Sequence, residues 1–301
     1  MPAKGVSFLC GLTIMRNLIT RTITGIVFVA VLVGCILYSM YSFCVLFAIV
    51  SAAAVWEYSL LVNKIPEIHI NSLMSTVAAA CLFLAVFAFV CNIGGGGVFL
   101  PYILLIIYML IAELYLKRPH PLQNWAYTML GQMYIALPLS TLSLLAVQHE
   151  GGSAFYVPVY PLSVFVFIWC SDTGAYCVGS LFGKHKLFER ISPHKSWEGS
   201  IGGGVLAVIV AIALFFVIHQ PFMGKMEAEG TSLELLEWIG LALVVVVFGT
   251  WGDLAESMMK RQLGVKDSGN ILPGHGGILD RFDSSLIAVP AAVIYLYLIT
   301  L

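Results

Sequence analysis

Ionisable residues and glycines are concentrated in one stretch near the C-terminus, residues 257–283, of a chain that is otherwise mostly apolar. Six ionisable residues of this stretch and of the segment before it are the first candidates for chemistry: Asp253, Asp280, Asp283, Lys260, Lys266 and Arg281. Carboxylates that share a cation with water and substrate phosphates are the ligands that Mg²⁺ prefers. A pair of such cations can hold the attacking and departing oxygens of a phosphoryl-type transfer. The residue types therefore favour metal-assisted transfer, with the basic residues neutralising phosphate charge.

The spacing just before this stretch places four polar side chains on one face of a helix. They are Asp253, Glu256, Ser257 and Lys260, at i, i+3, i+4 and i+7. A carboxylate at mid-membrane costs about 2.5–3.5 kcal/mol on insertion scales, so it is normally paired, metal-bound or exposed to a water-filled cavity. We therefore expect Asp253, which ends an apolar segment, to bind a metal, and Ser257 to donate a hydrogen bond to a phosphate.

Glycines lie between the two groups of acids, at Gly264, Gly269, Gly274, Gly276 and Gly277. Glycines let a backbone approach a phosphate and present successive N–H groups to it, although the spacing does not match a Walker loop. The expected substrate-binding residues of this stretch are Arg261, Gly274, His275, Gly276 and Gly277. His275 either donates to a phosphate or caps the loop. The alternative is a charged juxtamembrane face on which the basic residues only neutralise the acids.

Two upstream elements carry further candidates. Asp172 lies inside an apolar segment, where it is either a metal ligand or a structural acid bonded to a neighbouring helix. The segment 192–199 contains Lys195 and Ser196, which we expect to bind substrate, Lys195 through a phosphate. Ser196 is also a candidate cap of the next helix. Alternatively, Lys195 and Trp197 are interfacial residues of the kind common at membrane surfaces.

The composition indicates a membrane protein. Only 10% of the residues are charged, 60% are hydrophobic and the mean hydropathy is +0.95, whereas about a quarter of the residues of soluble domains are charged. A membrane helix needs roughly 20 mainly apolar residues. We therefore predict an all-α, polytopic integral membrane protein with about nine spans, at 22–39, 41–62, 73–92, 98–116, 126–148, 159–181, 200–220, 236–259 and 284–301.

The basic residues indicate the orientation, because basic loops are retained in the cytoplasm. With the N-terminus inside and the C-terminus outside, every Lys and Arg except Lys225 falls on the inner side. The loops 182–199 and 260–283 then face the cytoplasm. We expect an N-terminal region of about five spans, 1–150, and a catalytic membrane region, 151–301. A cleaved signal peptide is not expected, and Met15 is an alternative start to Met1.

The stretch 257–283, ending in Gly276-Gly277-Ile278-Leu279-Asp280-Arg281-Phe282-Asp283, resembles the signature of the phosphatidate cytidylyltransferase (CDP-diacylglycerol synthase) family. Segments 171–175 and 192–199 resemble two further elements of that family. The resemblance implies that CTP and phosphatidate react to give CDP-diacylglycerol and pyrophosphate. It also implies Mg²⁺, in a two-cation site whose second ion the sequence does not identify. The implied metal ligands are Asp253, Asp280 and Asp283, with Asp172 as an additional one.

The expected partners are CTP, phosphatidic acid and membrane lipids. A net charge of −1 gives no basic surface for nucleic acid, and a homodimer is compatible with the sequence. We expect the protein in the inner membrane of a bacterial cell, with its active site facing the cytoplasm. Two alternative functions stay open. A secondary transporter also has intramembrane acids, but it predicts a repeat between halves that the sequence lacks. A CTP-dependent lipid kinase or transferase would differ in its acceptor.

Overall fold

The computed structural model describes residues 4–218, 233–274 and 276–300. Most of these residues are helical, which confirms the all-α prediction. The helices are α1 (Lys4–Tyr38), α2 (Met40–Val62), α3 (Ser72–Val90), α4 (Leu100–Leu116), α5 (Pro121–Gly131), α6 (Leu137–Ser140), α7 (Leu142–Ala146), α8 (Val159–Phe182), α9 (Trp197–Ile218), α10 (Leu235–Gln262), α11 (Leu279–Phe282) and α12 (Ser285–Thr300). A 3₁₀ turn covers Gly96–Phe99 and a π turn covers Gln132–Ala136.

Within the described ranges, nine helical segments are long and apolar enough to cross a membrane, as predicted. Most of their ends lie within a few residues of the predicted ones. The fifth begins at Pro121 rather than at 126, because proline at the first helical position has a suitable φ and needs no N–H partner. The ninth begins at Leu279 rather than at 284, because the short helix α11 precedes α12. The orientation with the N-terminus inside stays a prediction.

Two short antiparallel hairpins interrupt the helices. β1 (Val147–Glu150) pairs with β2 (Ser153–Tyr156) through a turn at Gly151 and Gly152, whose φ angles are +57° and +86°. β3 (Lys186–Phe188) pairs with β4 (Ser192–Ser196) between α8 and α9. The sequence patterns do not indicate either hairpin, because strands of three to five residues are too short for alternation of apolar and polar residues to stand out.

Aromatic side chains from distant segments pack around the short helix α11. Phe282 is 1% exposed, and its ring centroid lies 6.2 Å from that of Phe47 on α2 and 5.8 Å from that of Phe165 on α8. Phe28 of α1 contacts the same ring at 5.9 Å. Phe282 lies between the two acids of the C-terminal motif, so this packing fixes both acids relative to α1, α2 and α8.

Glycines let α8 and α9 approach each other closely. A Cβ added to Gly174 would lie 2.9 Å from the Cα of Gly203, and a Cβ on Gly203 would lie 2.5 Å from the backbone oxygen of Ser171. In lipid, where water does not drive helices together, small residues at such crossings allow the tight packing that holds helices in place. The crossing places Asp172, on α8, close enough to Lys195, before α9, for their charges to interact.

Candidate active site

A polar cavity of about 390 Å³ lies where α1, α8, α10 and the α11–α12 junction meet. Five ionisable side chains line it: Asp172, Asp253, Asp280, Arg281 and Asp283. The structure therefore brings together acids that the sequence places on separate helices. Gly25 and Phe28 of α1 form part of the wall. The cavity thus also includes residues of the N-terminal region, 1–150.

The contact between α10 and the start of α12 sets the separation of two of these acids. A Cβ on Gly252 would lie 2.7 Å from the backbone oxygen of Asp283 and 2.8 Å from that of Ser284. Asp253 follows Gly252 directly, and it lies close enough to Asp283 for their charges to interact. The absence of a side chain at position 252 therefore allows the two acids to share the cavity.

Replacing Gly252 by alanine is expected to lower turnover by about 100-fold, since displacing a catalytic group by about 1 Å costs on that order. The added methyl group must push α10 away from the backbone of Asp283. Gly249→Ala is the matched control, because its Cβ would meet the Cβ of Ser284 at 3.7 Å, an ordinary contact. Turnover is measured per folded protein. Equal activity of the two variants would mean that this contact does not position the acids.

Two other predicted site residues contact Asp253. Lys195, from the end of β4, forms an ion pair with its Oδ2. Ser257 donates from Oγ to Oδ1 at 3.1 Å, across one turn of α10. Ser196 accepts a hydrogen bond from the N–H of Gly199 at 3.2 Å, which confirms its expected role as the cap of α9. Lys195 and Asp253 thus join the β3–β4 hairpin to the cavity wall.

Asp280 accepts hydrogen bonds from α10 and from the loop that precedes α11. Its Oδ1 accepts from Lys260 Nζ at 2.8 Å, and its Oδ2 accepts from the backbone N–H groups of Ser268 at 2.8 Å and Gly277 at 2.9 Å. Lys260 also pairs with the buried Glu256 at 2.5 Å and is only 16% exposed. Both predicted catalytic residues are therefore engaged inside the protein. Direct roles for them in binding metal or phosphate stay predictions.

Glu57, in the N-terminal region, binds the same loop, although it is not among the predicted site residues. It lies on α2, is 2% exposed, and accepts through Oε2 from the N–H of Leu279 at 2.9 Å and from Ser268 Oγ at 3.4 Å. A Cβ on Gly269 or Gly277 would overlap the Glu57 carboxylate. These two glycines make room for Glu57, and the N–H of Gly277 is already donated to Asp280.

Most of the remaining predicted residues of the loop lie on the protein surface. Arg261, Lys266 and Gly274 are exposed. Gly274 has a φ of +76° and packs against the side chain of Arg21 on α1, while Gly276 has a φ of +83°. His275 lies outside the described residues. The roles of these residues in binding substrate stay predictions.

Tyr134 is a second residue near the site that the sequence patterns do not indicate. It belongs to the π turn of the fifth span, which forms because Pro138 has no N–H to donate to the carbonyl of Tyr134. Its hydroxyl is buried and has no hydrogen-bond partner in the described part of the chain. The charges of Glu256, Asp283 and Asp253 lie close enough to act on it. No pattern in the sequence indicates this position, since the residue is one aromatic among many.

The carboxylates of the cavity can supply oxygen ligands to a cation, but they do not form a complete coordination sphere by themselves. Among residues 4–218, 233–274 and 276–300, no group of three or more His, Cys, Asp or Glu side chains is arranged to hold an ion. The ionisable groups on the cavity wall are Arg281 and carboxylates, with no Cys or His among the lining residues. Such donors suit a hard cation that keeps waters and substrate oxygens in its coordination sphere, which describes Mg²⁺.

Comparison with known proteins decides the family. A family model described as the cytidylyltransferase family matches residues 19–299. The chain belongs to this family. A Haemophilus influenzae protein named phosphatidate cytidylyltransferase is 30% identical over 282 residues, which cover 90% of this chain and 95% of that protein. A Staphylococcus aureus (strain COL) protein of the same name is 40% identical over 174 residues, 55% of this chain and 62% of that protein.

The family assignment confirms the resemblance that the motif residues indicate. It favours a transferase over the transporter alternative. The match also extends well before the motif stretch, into the spans that supply Glu57 and the α1 wall of the cavity. For this cytidylyltransferase family member, the N-terminal spans are therefore part of the shared framework.

Proposed function

We propose that the chain transfers CMP from CTP to phosphatidate, giving CDP-diacylglycerol and pyrophosphate. The observation that carries this proposal is the cavity where Asp172, Asp253, Asp283 and Arg281 meet between membrane spans, in a member of the cytidylyltransferase family. The relatives named phosphatidate cytidylyltransferase support phosphatidate as the acceptor.

The position of the cavity among the spans suits a reaction between one membrane-bound and one water-soluble substrate. Acyl chains cannot leave the bilayer cheaply, at about 0.8 kcal/mol per buried CH₂, whereas CTP cannot enter it. We infer that the cavity opens at the inner face of a bacterial cytoplasmic membrane, where CTP is present. The basic loops predicted to face the cytoplasm support this orientation.

Arg281 and Lys195 are the cations best placed to bind phosphate. Arg281 lines the cavity and is exposed, and its planar guanidinium can bind two phosphate oxygens at once. Lys195 is paired with Asp253 at the cavity wall. The arrival of a triphosphate gives Lys195 a second anionic partner. We assign both residues to holding the substrates' phosphates in line.

Asp172, Asp253 and Asp283 would hold Mg²⁺ as part of a two-cation site. When bound, Mg²⁺ would neutralise triphosphate charge and polarise the α-phosphate. Ser257 restrains the Asp253 carboxylate through its hydrogen bond. Asp280, Lys260 and Glu57 act one step further out, by holding the loop 263–278 and α11 in place.

In the transfer itself, a bond forms between a phosphate oxygen of phosphatidate and the α-phosphorus of CTP. The bond from that phosphorus to the bridging oxygen of the β-phosphate breaks, and pyrophosphate leaves with the electron pair. A phosphate monoester is largely ionised at neutral pH, with a second pKa of about 6, so the attacking oxygen needs no strong base. The protein's contribution is therefore positioning and charge stabilisation.

The test uses the purified full chain with Mg²⁺, phosphatidate and CTP labelled with ³²P at either the α or the γ position. We expect lipid-bound label from α-labelled CTP only, with the γ label released as pyrophosphate. Lipid-bound label from γ-labelled CTP, with diacylglycerol as acceptor, would instead identify a lipid kinase. A lack of labelled lipid with every acceptor would refute transfer to lipid.

A further inference from the structure

A second concave surface lies outside the catalytic cavity, on the exposed faces of α9 and α10. An apolar groove of about 900 Å³ runs between the two helices, with Val205, Val208, Leu243, Val247 and Trp251 among its lining residues. We call it the α9–α10 groove. At one end it meets a polar pocket of about 740 Å³ at the β3–β4 hairpin. Trp197 and Ile201 line both, so the two form one surface with a polar end and an apolar body.

The polar pocket contains lysines that have no acidic partner. Lys184 and Lys186 are exposed, and no described Asp or Glu lies within ion-pair distance of either. Glu198, by contrast, is already engaged: it pairs with His185 at 2.6 Å and accepts from the backbone N–H groups of Lys184 and His185 at 3.2 Å. The other acid of the pocket, Glu189, is exposed and forms no ion pair with Lys184 or Lys186. The lysines therefore remain available to an external anion.

The position of this surface matches the depth of a lipid in the bilayer. α9 and α10 are membrane spans, so the groove between them lies at the level of acyl chains. The hairpin precedes α9, and Trp197, at the first position of that helix, is exposed as tryptophans at the level of lipid headgroups often are. Lysines beside such a tryptophan attract anionic headgroups.

We propose that this surface binds one acidic phospholipid, with the phosphate on Lys184 and Lys186 and an acyl chain in the α9–α10 groove. Charge complementarity selects a negative headgroup, and the apolar lining selects a lipid over a free phosphate. The site uses no residue of the catalytic cavity, and it does not depend on the proposed reaction. Lys195, on β4 of the same hairpin, pairs with Asp253 at the cavity wall. The hairpin would therefore lie between the bound lipid and the cavity.

Tryptophan quenching by brominated lipids tests the proposal on the full chain in bilayer nanodiscs. The background replaces three tryptophans by phenylalanine: Trp56, Trp125 and Trp169. Of the tryptophans left, Trp197 and Trp251 line the groove and Trp238 is fully buried. Removing Trp169 matters because it lines the catalytic cavity, where a bound substrate would also quench it. Small mole fractions of brominated phosphatidate, phosphatidylglycerol or phosphatidylcholine are then compared in unlabelled phosphatidylcholine.

We expect both acidic lipids to quench at lower mole fractions than phosphatidylcholine does. Replacing Lys184 and Lys186 by alanine should weaken this preference about 30-fold, as expected for two lysines near a membrane surface. Lys64→Ala with Lys117→Ala is the matched control, since both lysines lie in other loops. Gly204→Leu should reduce quenching by all three lipids, because a Cβ there meets only Val246 at 3.9 Å and the side chain can fill the groove.

The outcomes distinguish which kind of lipid occupies the site. Preference for both acidic lipids supports a general acidic-phospholipid site, and preference for phosphatidate alone supports the same site with phosphatidate as its occupant. Equal quenching by phosphatidylcholine, or an unchanged preference in the double lysine variant, would overturn the proposal. Either negative result leaves the cytidylyltransfer assay unaffected, since that assay depends on the other cavity.

Discussion

Asp283→Asn is expected to lower kcat by about 100- to 1000-fold, the loss typical of removing one preorganised electrostatic group from an active site. Its melting temperature should not fall. Asp283 lies close enough to Asp253 and Asp172 for their charges to repel, so neutralising it relieves repulsion in the folded state. Asparagine also keeps the oxygen that accepts the N–H of Ser284, at 2.6 Å from Oδ1 in this structure. Turnover with CTP and phosphatidate, and thermal unfolding in detergent, measure the two effects.

Two neighbouring substitutions serve as controls for this variant. Asp267→Asn removes an exposed acid from the loop 263–278 and should leave both kcat and the melting temperature unchanged. Asp280→Asn should lower both, because the Asp280 carboxylate binds Lys260 and two backbone N–H groups. If Asp283→Asn lowered the melting temperature as much as Asp280→Asn, Asp283 would be a structural acid and the assignment to metal binding would be wrong.

Glu57→Ala is expected to lower the free energy of unfolding by about 2–3 kcal/mol, because it leaves the buried N–H of Leu279 and the hydroxyl of Ser268 without an acceptor. In the protein that remains folded, kcat should fall about 100-fold, since the loop that positions α11 loses its anchor. Glu57→Gln keeps one acceptor oxygen and should recover most of both losses. Thermal unfolding and kcat per folded molecule are the measurements.

Glu113 provides the comparison for Glu57. It is also a buried acid of the N-terminal region, on α4, where it pairs with Arg118 at 3.4 Å, away from the loop. Glu113→Ala should destabilise the protein while leaving kcat per folded molecule unchanged. A similar fall of kcat in the Glu113 and Glu57 variants would mean that any loss of stability lowers activity, and that Glu57 has no specific role in positioning the loop.

The spans and all four acids that line the cavity could be predicted from the sequence. Long apolar stretches indicate membrane helices directly, because their length must match the bilayer. Asp172 and Asp253 stand out because a carboxylate in an apolar segment is costly. The same criterion applies to Glu57, inside α2, and it would have identified that residue as well.

The packing of the spans could not be predicted in the same way. In a membrane, side chains that face lipid and side chains that face another helix are both apolar, so the sequence does not mark the buried face of a span. The contribution of α1 to the cavity wall and the approach of Tyr134 to the acids therefore follow only from the tertiary structure. The overlap of Glu57 with Gly269 and Gly277 is likewise a property of the folded chain.

The anchor of the motif loop has a consequence for biogenesis. The two donors that reach Glu57 lie 211 and 222 positions later in the chain. Spans leave the ribosome in order, so Glu57 gains these two hydrogen bonds only after Ser268 and Leu279 have been synthesised. A chain that ends before Leu279 would therefore lack the backbone donor that fixes α11 to α2.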